Sequence, residues 1–152
     1  MFKQLINDTN GAFTINNDFI VSNKTILNDL QLHFGKDQLV QSKYIQNCYY
    51  TFSQFEIDHL FFKFIFYIEN ERVKKMGFEI ETVAKSRNNW ANNRDVETNW
   101  IASQLNDTDK FNWEINSESN QYISNYRWGE VGVFYDFKNG TYNSYLAYKI
   151  NQ

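Results

Sequence analysis

The amino-acid sequence predicts an α+β fold: two tandem units, each a helix followed by antiparallel strands, that form one curved antiparallel sheet with the helices packed on one face. The same order of elements occurs twice, and the apolar faces of corresponding strands can be aligned. Helices combined with antiparallel strands in this way collect on one side of a sheet. The helical patterns cover residues 24–34 and 96–105, and the main strand patterns cover residues 60–68, 76–82, 131–137 and 142–150.

Apolar residues at every second position mark the strands, because successive side chains of a strand point to opposite faces. Each unit contains two such runs in the same order. Across the units, Phe62, Phe64, Phe66 and Ile68 align with Val131, Val133, Tyr135 and Phe137, and Phe78 and Ile80 align with Leu146 and Tyr148. We therefore expect a single domain over residues 1–152, with pseudo-repeat units at about residues 13–83 and 94–151.

The first unit follows a lead-in at residues 1–12, which we expect to be loosely ordered. Alternation at residues 13–16 predicts a short strand. Ser22 or Asn23 can cap the next helix by accepting a hydrogen bond from a backbone N–H, and Gly35 can end that helix in a left-handed conformation. The apolar stripe of the helix consists of Ile26, Leu27, Leu30 and Phe34.

The strands of the first unit differ in how much of them should be buried. Residues 44–52 mix aromatic and polar side chains and predict a strand. Residues 60–68 have one fully apolar face, expected in the core, and one mixed face, expected to be half covered. The mixed face carries Phe61, Lys63, Ile65, Tyr67 and Glu69. In the strand that follows, Met76, Phe78 and Ile80 are expected to point inward, and Glu79 and Glu81 outward.

The second unit follows a polar, asparagine-rich joint at residues 84–93. Asn93 or Asp95 can cap its helix. The apolar stripe of this helix consists of Val96, Trp100, Ile101 and Leu105.

The remaining strands are predicted by alternation and by turn residues. A strand is expected at residues 111–116, a polar loop at 117–125 and a strand at 128–137. Asn139-Gly140 predicts the tight turn of a hairpin, since both residue types tolerate positive φ angles.

Composition excludes several classes of function. The net charge is −3, the densest basic run has only four residues (72–75), and nucleic-acid binding is therefore not expected. Cys48 is the only cysteine, so no internal disulfide can form. The first residues lack the apolar run of a signal peptide, and no apolar stretch is long enough to span a bilayer. We expect a cytoplasmic protein that does not associate with membranes.

Catalytic and metal sites have few candidates in this sequence. His33 and His59 are the only histidines, and neither has a second histidine at helical or strand spacing. Cys48 has no basic neighbour that would activate its thiol and is expected to be buried and inert. Carboxylate pairs at two-residue spacing can serve acid–base chemistry, but the solvent-facing side of any strand shows the same spacing. These pairs are Glu69 with Glu71 and Glu79 with Glu81. We expect no enzymatic activity, no metal and no cofactor.

Aromatic residues make up 18% of the chain, a proportion that favours strands and contact surfaces. Tyrosine and tryptophan contribute strongly to binding energy at interfaces, and carboxylates around them would attract a basic partner. The residues predicted to bind a partner are Glu79, Glu81, Tyr126, Trp128, Glu130 and Tyr145. The alternative for Tyr126 and Trp128 is that they only close the edge of the sheet. The other three tryptophans, Trp90, Trp100 and Trp113, are expected in the core.

Four tryptophan motifs mark the second half of the chain: Asn89-Trp90, Asn99-Trp100-Ile101, Asn112-Trp113 and Arg127-Trp128-Gly129, closed by Val131-Gly132-Val133-Phe134-Tyr135. Over residues 84–150 this pattern resembles the small immunity proteins of bacterial polymorphic-toxin and contact-dependent inhibition systems, in particular the type named for three tryptophans. The resemblance implies a protein that binds one cognate toxin domain and blocks its active site, with no catalytic residues of its own.

Three functions follow as hypotheses. The first is a cytoplasmic immunity protein that neutralises a basic toxin domain, such as a nuclease, by occlusion. The second is a small-molecule or lipid-binding domain with an aromatic-lined pocket. The third is an enzyme that uses carboxylates of the sheet.

Overall fold

The computed structural model describes residues 2–81, 90–105, 114–116, 121–136 and 140–149. Within these ranges, no helix is long and apolar enough to cross a membrane. The helices are α1 (Leu27–Phe34) and α2 (Trp90–Gln104). The strands are β1 (Phe13–Asn16), β2 (Phe19–Val21), β3 (Leu39–Gln41), β4 (Cys48–Thr51), β5 (Phe55–Ile57), β6 (Leu60–Glu69), β7 (Arg72–Glu81), β8 (Glu114–Asn116), β9 (Gln121–Tyr126), β10 (Gly129–Asp136) and β11 (Thr141–Tyr148).

Some predictions concern residues outside these ranges. They are most of the joint at 84–93, the start of the strand at 111–116, the loop residues 117–120, the burial of Trp90 and Trp113, and the positions of Thr82, Phe137, Asn139 and Ile150.

The described strands form one large antiparallel sheet and one small one. Eight strands of the large sheet lie in the order β3-β4-β6-β7-β11-β10-β9-β8, and β5 pairs with β6 next to β4. β1 and β2 pair separately. The hairpins β6–β7 and β10–β11 meet at the centre, where Phe78 of β7 lies opposite Ser144 of β11. The predicted α+β class with antiparallel strands and two helices is thus confirmed.

The two helices do not hold equivalent positions, and two tandem units of the predicted kind are not evident. α1 lies beside β3 at one end of the sheet, whereas α2 lies across β11 and also contacts β10 and β7. Both helices pack on the same face of β6: Phe34 of α1 contacts Phe64, and Trp100 of α2 contacts Phe62. Strand β1 joins them on this covered face through Phe13.

Alternation along β6 and β7 sorts their side chains as predicted. Phe62, Phe64 and Phe66 are buried on the covered face, together with Phe78 and other inward residues of β7. On the opposite face, Phe61 and Lys63 are exposed, and Ile65 and Tyr67 are half-buried. The apolar face is buried because both helices and the small sheet rest on it. The mixed face has none of these elements against it, and we call it the open face.

Helix α1 ends where predicted but begins later. The N–H of Gly35, whose φ is +83°, donates to Gln31 O and closes the helix. Its first residue is Leu27, so the predicted caps Ser22 and Asn23 are wrong. The chain before the helix pairs with β7 instead, since Val73 N–H donates to Thr25 O.

Helix α2 begins at Trp90, before either predicted cap. Asn93 and Glu97 are buried on its inner side. The helix is therefore longer than the predicted apolar stripe, because its first turns bury polar residues. Glu97 Oε1 accepts a hydrogen bond from Ile80 N–H at 2.9 Å, and Glu97 Oε2 accepts one from Ser144 Oγ at 2.6 Å. These bonds attach the helix to β7 and β11. Of the predicted stripe, Trp100, Ile101 and Leu105 are buried and Val96 is half-buried.

The N-terminal lead-in is ordered, contrary to prediction. Leu5 and Ile6 are buried in the core, and Ile6 pairs with Phe13. The Gln104 side chain forms hydrogen bonds with the backbone of this segment, in the place of a neighbouring strand. Its Oε1 accepts from the N–H groups of Leu5 at 2.5 Å and Ile6 at 3.1 Å, and its Nε2 donates to Lys3 O at 2.9 Å.

Residues 121–125, predicted as part of a polar loop, belong to strand β9. This strand pairs with β10 along its whole length and with β8 at residues 121–123, and these backbone pairings do not depend on the polarity of its side chains. The predicted hairpin between β10 and β11 is present: Asp136 lies opposite Thr141, and Gly140 has a φ of +64°.

Candidate functional site

A recess in the open face has a volume of about 660 Å³. It crosses five neighbouring strands, from β4 through β6, β7 and β11 to β10. Aromatic rings form much of its wall, and ligand pockets of similar size commonly have aromatic and apolar linings. The five rings from the open face are those of Tyr50, Phe52, Tyr67, Phe134 and Tyr145.

Lys75 lies at the centre of this recess and is enclosed by three of these rings. Its Nζ lies 4.4 Å from the ring centroid of Tyr145, 5.3 Å from that of Tyr67 and 5.8 Å from that of Phe134. The register explains the arrangement, since Tyr67 lies directly opposite Lys75 in the β6–β7 pair. The ammonium therefore makes cation–π contacts on several sides.

Burial lowers the pKa of Lys75, an effect that the negative charge of Glu130 opposes and the neighbouring Lys74 reinforces. In the described part of the chain, no carboxylate oxygen lies within 4.0 Å of Lys75 Nζ. The contacts of the ammonium with the described residues are thus ring contacts, and rings are weak acceptors compared with oxygen.

Tyr145 forms part of the floor of the recess. Its hydroxyl donates to Glu130 Oε2 at 2.8 Å and accepts from Gln121 Nε2 at 2.7 Å. Burial, together with the hydrogen bond to Glu130, raises the pKa of the Tyr145 phenol. The ring covers Gly132, where a side chain would collide with it. Tyr145 is therefore held as a neutral, fixed ring beside Lys75.

One side of the recess is bordered by exposed apolar side chains, which we call the apolar rim: Ile45, Tyr50 and Phe52. Their exposed fractions are 46%, 39% and 69%. Tyr44, next to the rim, is 93% exposed, and Phe61 is exposed further along the open face. Adjacent exposed apolar side chains are typical of binding surfaces.

The structure divides the six residues predicted to bind a partner between two places. Glu79, Glu81, Glu130 and Tyr145 lie on the open face. Glu79 lines the recess and lies opposite Lys63 in the β6–β7 pair. The outward direction of both glutamates is confirmed. Tyr145 was expected to be exposed and is not, because only 3% of it is accessible.

Tyr126 and Trp128 lie with the core and not on the open face, so their predicted outward position is wrong. Trp128 is 5% exposed, and its Nε1–H donates to Asp8 O at 2.9 Å. The Tyr126 ring stacks on it with centroids 5.4 Å apart. The N-terminal lead-in covers Trp128, and this long-range contact leaves the indole little surface to offer a partner.

Sequence reasoning missed Lys75 as a site residue, together with Tyr67 and Phe134 of the rings around it, whereas Tyr145 was among the predicted residues. The signal that could have found Lys75 is its position in β7, two and four residues from Gly77 and Glu79 on the same outward side. The strands that supply Phe134 and Tyr145 could not be placed beside β7 without the tertiary structure.

The candidates for catalysis are scattered. His33 stacks on Phe19 with ring centroids 4.1 Å apart, and burial lowers its pKa. His59 is exposed, and its Nδ1 lies 4.0 Å from Glu56 Oε1. Cys48 is buried, as predicted, and burial raises its pKa. Among the described residues, no group of three or more His, Cys, Asp or Glu side chains could hold a metal ion.

No protein-family model matches this chain, and neither a curated protein nor a solved structure matches it.

Proposed function

We propose that this chain is a cytoplasmic immunity protein that binds a cognate toxin domain through its open face and blocks the toxin's active site by occlusion. The observation that carries the proposal is the apolar rim, Ile45, Tyr50 and Phe52, exposed beside an open sheet face. The apolar surface of exposed aromatic side chains is removed from water only when a partner covers it. Such residues dominate binding energy at protein interfaces.

The charges of the open face support a basic partner. Glu79, Glu81 and Glu130 project from this face, and the whole chain carries a net charge of −3. Such carboxylates accelerate the encounter with a positively charged protein. Nucleases are commonly positively charged, because they bind the phosphate backbone of nucleic acids. Lys63 and Lys75 interrupt the acidic surface and would restrict which partner residues can approach them.

In this proposal the chain consists of two related units. Each unit would contribute one long hairpin, β6–β7 or β10–β11, to a curved sheet, and the partner would contact both. Occlusion needs a broad surface but no catalytic group, which agrees with the resemblance of the second half to immunity proteins.

The test has two stages. Tagged protein is used to capture a partner from lysate of its own organism, and the captured protein is then expressed in a heterologous host with and without this chain. We expect the captured protein to arrest growth alone and to be harmless when co-expressed with this chain. A captured protein that does not affect growth would contradict the proposal.

Matched variants locate the interface. Tyr50→Ser with Phe52→Ser should abolish capture and protection, because it removes most of the apolar rim. The control is Leu32→Ser, which changes a residue that is 77% exposed on α1, on the other side of the sheet. If the rim variant protects as well as the unmodified chain, the interface lies elsewhere.

A second candidate function is small-molecule or lipid binding, which the aromatic recess of about 660 Å³ favours. It is tested by native mass spectrometry of protein purified without denaturation. A bound small molecule that is lost on denaturation would support this function.

A further inference from the structure

We propose that the recess of the open face is a binding site for a small organic carboxylate with an apolar body, held by Lys75 at its charged end. This inference rests on the second candidate function and names its ligand class. Its failure can be distinguished from failure of toxin binding, because Lys75 is not one of the rim residues on which the toxin-binding proposal depends.

The ammonium of Lys75 lacks an oxygen acceptor among the described residues of the recess. Three rings surround the ammonium at centroid distances of 4.4 to 5.8 Å. They stabilise the positive charge but provide no oxygen acceptor. A half-buried ammonium gains most from an acceptor that reaches it inside the recess. Glu130, the carboxylate whose charge acts on Lys75, already accepts the hydroxyl of Tyr145.

Two glycines shape the floor of the recess. Gly77 and Gly132 lie on either side of Tyr145 in the register of β7, β11 and β10. A Cβ at Gly77 would collide with the Ile65 side chain, and one at Gly132 would collide with the Tyr145 ring. The side chains of Ile65 and Tyr145 therefore lie close to the sheet, each over a glycine. The space above these two side chains is part of the recess.

The charges of the lining favour a ligand with a single negative charge. The described lining of the recess contains two lysines and two carboxylates: Lys63, Lys75, Glu79 and Asp136. Because carboxylates equal lysines in number and the charge of Glu130 also acts on Lys75, a dianion such as a phosphate monoester is less favourable than a monoanion. A single negative charge placed against Lys75 is favourable, and we therefore assign the site to a monocarboxylate.

The remainder of the lining offers apolar contacts for the body of the ligand. Ile65 lines the recess together with Ile45 and Phe52 of the apolar rim. Burying an aryl or alkyl body against them releases ordered water from both surfaces. The ligand is thus expected to have one charged end and a body about the size of a phenyl ring or longer.

The test uses the full chain and isothermal titration calorimetry near neutral pH. The probes are phenylacetate, its neutral analogue phenylacetamide, octanoate and acetate. We expect saturable binding of phenylacetate or octanoate, with at least about tenfold weaker binding of phenylacetamide and of acetate. A preference for phenylacetate identifies an aryl body, and a preference for octanoate identifies an alkyl body. If neither acid binds saturably, or if phenylacetamide binds as tightly as phenylacetate, the proposal is wrong.

Variants assign the charged end. Lys75→Met should remove the preference for phenylacetate over phenylacetamide, whereas Lys36→Met, which removes one exposed charge outside the recess, should preserve it. Lys75→Arg should retain the preference and serves as the informative variant if Lys75→Met does not fold. Equal binding of phenylacetate by Lys75→Met and the unmodified chain would overturn the assignment. Toxin capture by Lys75→Met is measured separately, so that failure of either proposal can be recognised on its own.

Discussion

The ring of Tyr145 lies so close over Gly132 of the neighbouring strand that a Cβ at position 132 would overlap ring atoms Cε1 and Cζ. The absence of a side chain at position 132 therefore lets Tyr145 lie against the sheet and point its hydroxyl toward Glu130. The centroid of the same ring lies 4.4 Å from Lys75 Nζ. One glycine thus determines the geometry at the centre of the recess.

The first prediction concerns this glycine. Gly132→Ala should displace the Tyr145 ring and lower the free energy of unfolding by roughly 1–3 kcal/mol, as overpacking does. Urea unfolding measures this loss. Tyr145→Phe is the control, because it keeps the ring on Gly132 but removes the hydroxyl bonds to Glu130 and Gln121. If Gly132→Ala is as stable as the unmodified chain, the ring does not rest on the glycine in solution.

The second prediction tests the core. Phe64→Ala should lower the free energy of unfolding by roughly 3–5 kcal/mol, because it leaves a cavity among packed rings. Phe64 contacts the rings of Phe13, Phe34, Phe62 and Phe66. Phe52→Ala, at an exposed position on the rim, should cost about 0.5 kcal/mol or less. A loss below about 1 kcal/mol for Phe64→Ala would mean that this face of β6 is not the core.

The third prediction concerns the acidic part of the open face. Glu79→Lys with Glu81→Lys should weaken binding of the captured toxin domain and change thermal stability only slightly, since both side chains are partly solvated. A small stability loss is expected at position 79, where the new lysine lies opposite Lys63.

Affinity for the toxin is measured by surface plasmon resonance at two salt concentrations. The control, Asp18→Lys with Asp37→Lys, makes the same change in net charge at two exposed residues away from the open face. Equal affinities for both double variants would exclude a local role for Glu79 and Glu81.

The fourth prediction concerns alkaline pH. Tyr148 is buried, its hydroxyl donates to Gly11 O at 2.9 Å, and burial raises its pKa above the ordinary value of 10.0. The folded state therefore retains the proton in a pH range where the unfolded state loses it. The stability contributed by this group is complete below about pH 10 and falls as the pH rises above that value.

Tyr148→Phe should cost about 1 kcal/mol at neutral pH, because the Gly11 carbonyl loses its donor. Its free energy of unfolding should then fall less steeply above pH 10 than that of the unmodified chain. Tyr44→Phe, at an exposed position, is the control and should leave the pH dependence unchanged. Identical pH profiles for Tyr148→Phe and the unmodified chain would contradict the burial of the hydroxyl.

Much of the fold could be predicted because strand alternation is a local property. The inward faces of β6 and β7 follow from side chains at every second position, and the β10–β11 hairpin follows from its turn residues. Two of the errors, the start of α2 and the N-terminal lead-in, occurred where polar side chains are buried in the interior. Glu97 is buried in α2 because it bonds to Ile80 and Ser144, and Gln104 is buried because it bonds to the N-terminal segment.

The candidate site was predicted only in part for a related reason. The outward direction of Glu79 and Glu81 follows from alternation alone. The burial of Trp128 does not, because its cover, the segment around Asp8, lies far away in the chain. A tryptophan beside a turn has the same local pattern whether a partner or the protein itself covers it.

Local sequence patterns therefore fix which residues of each long strand face the core, which hairpins form and that helices accompany an antiparallel sheet. The position of β7 beside β11 is evident only in the folded protein. That pairing brings Lys75 to Tyr145 and Phe134 and creates the recess. The physical reason is that alternation is set by neighbouring residues along the chain, whereas strand order is set by how distant apolar faces pack into one core.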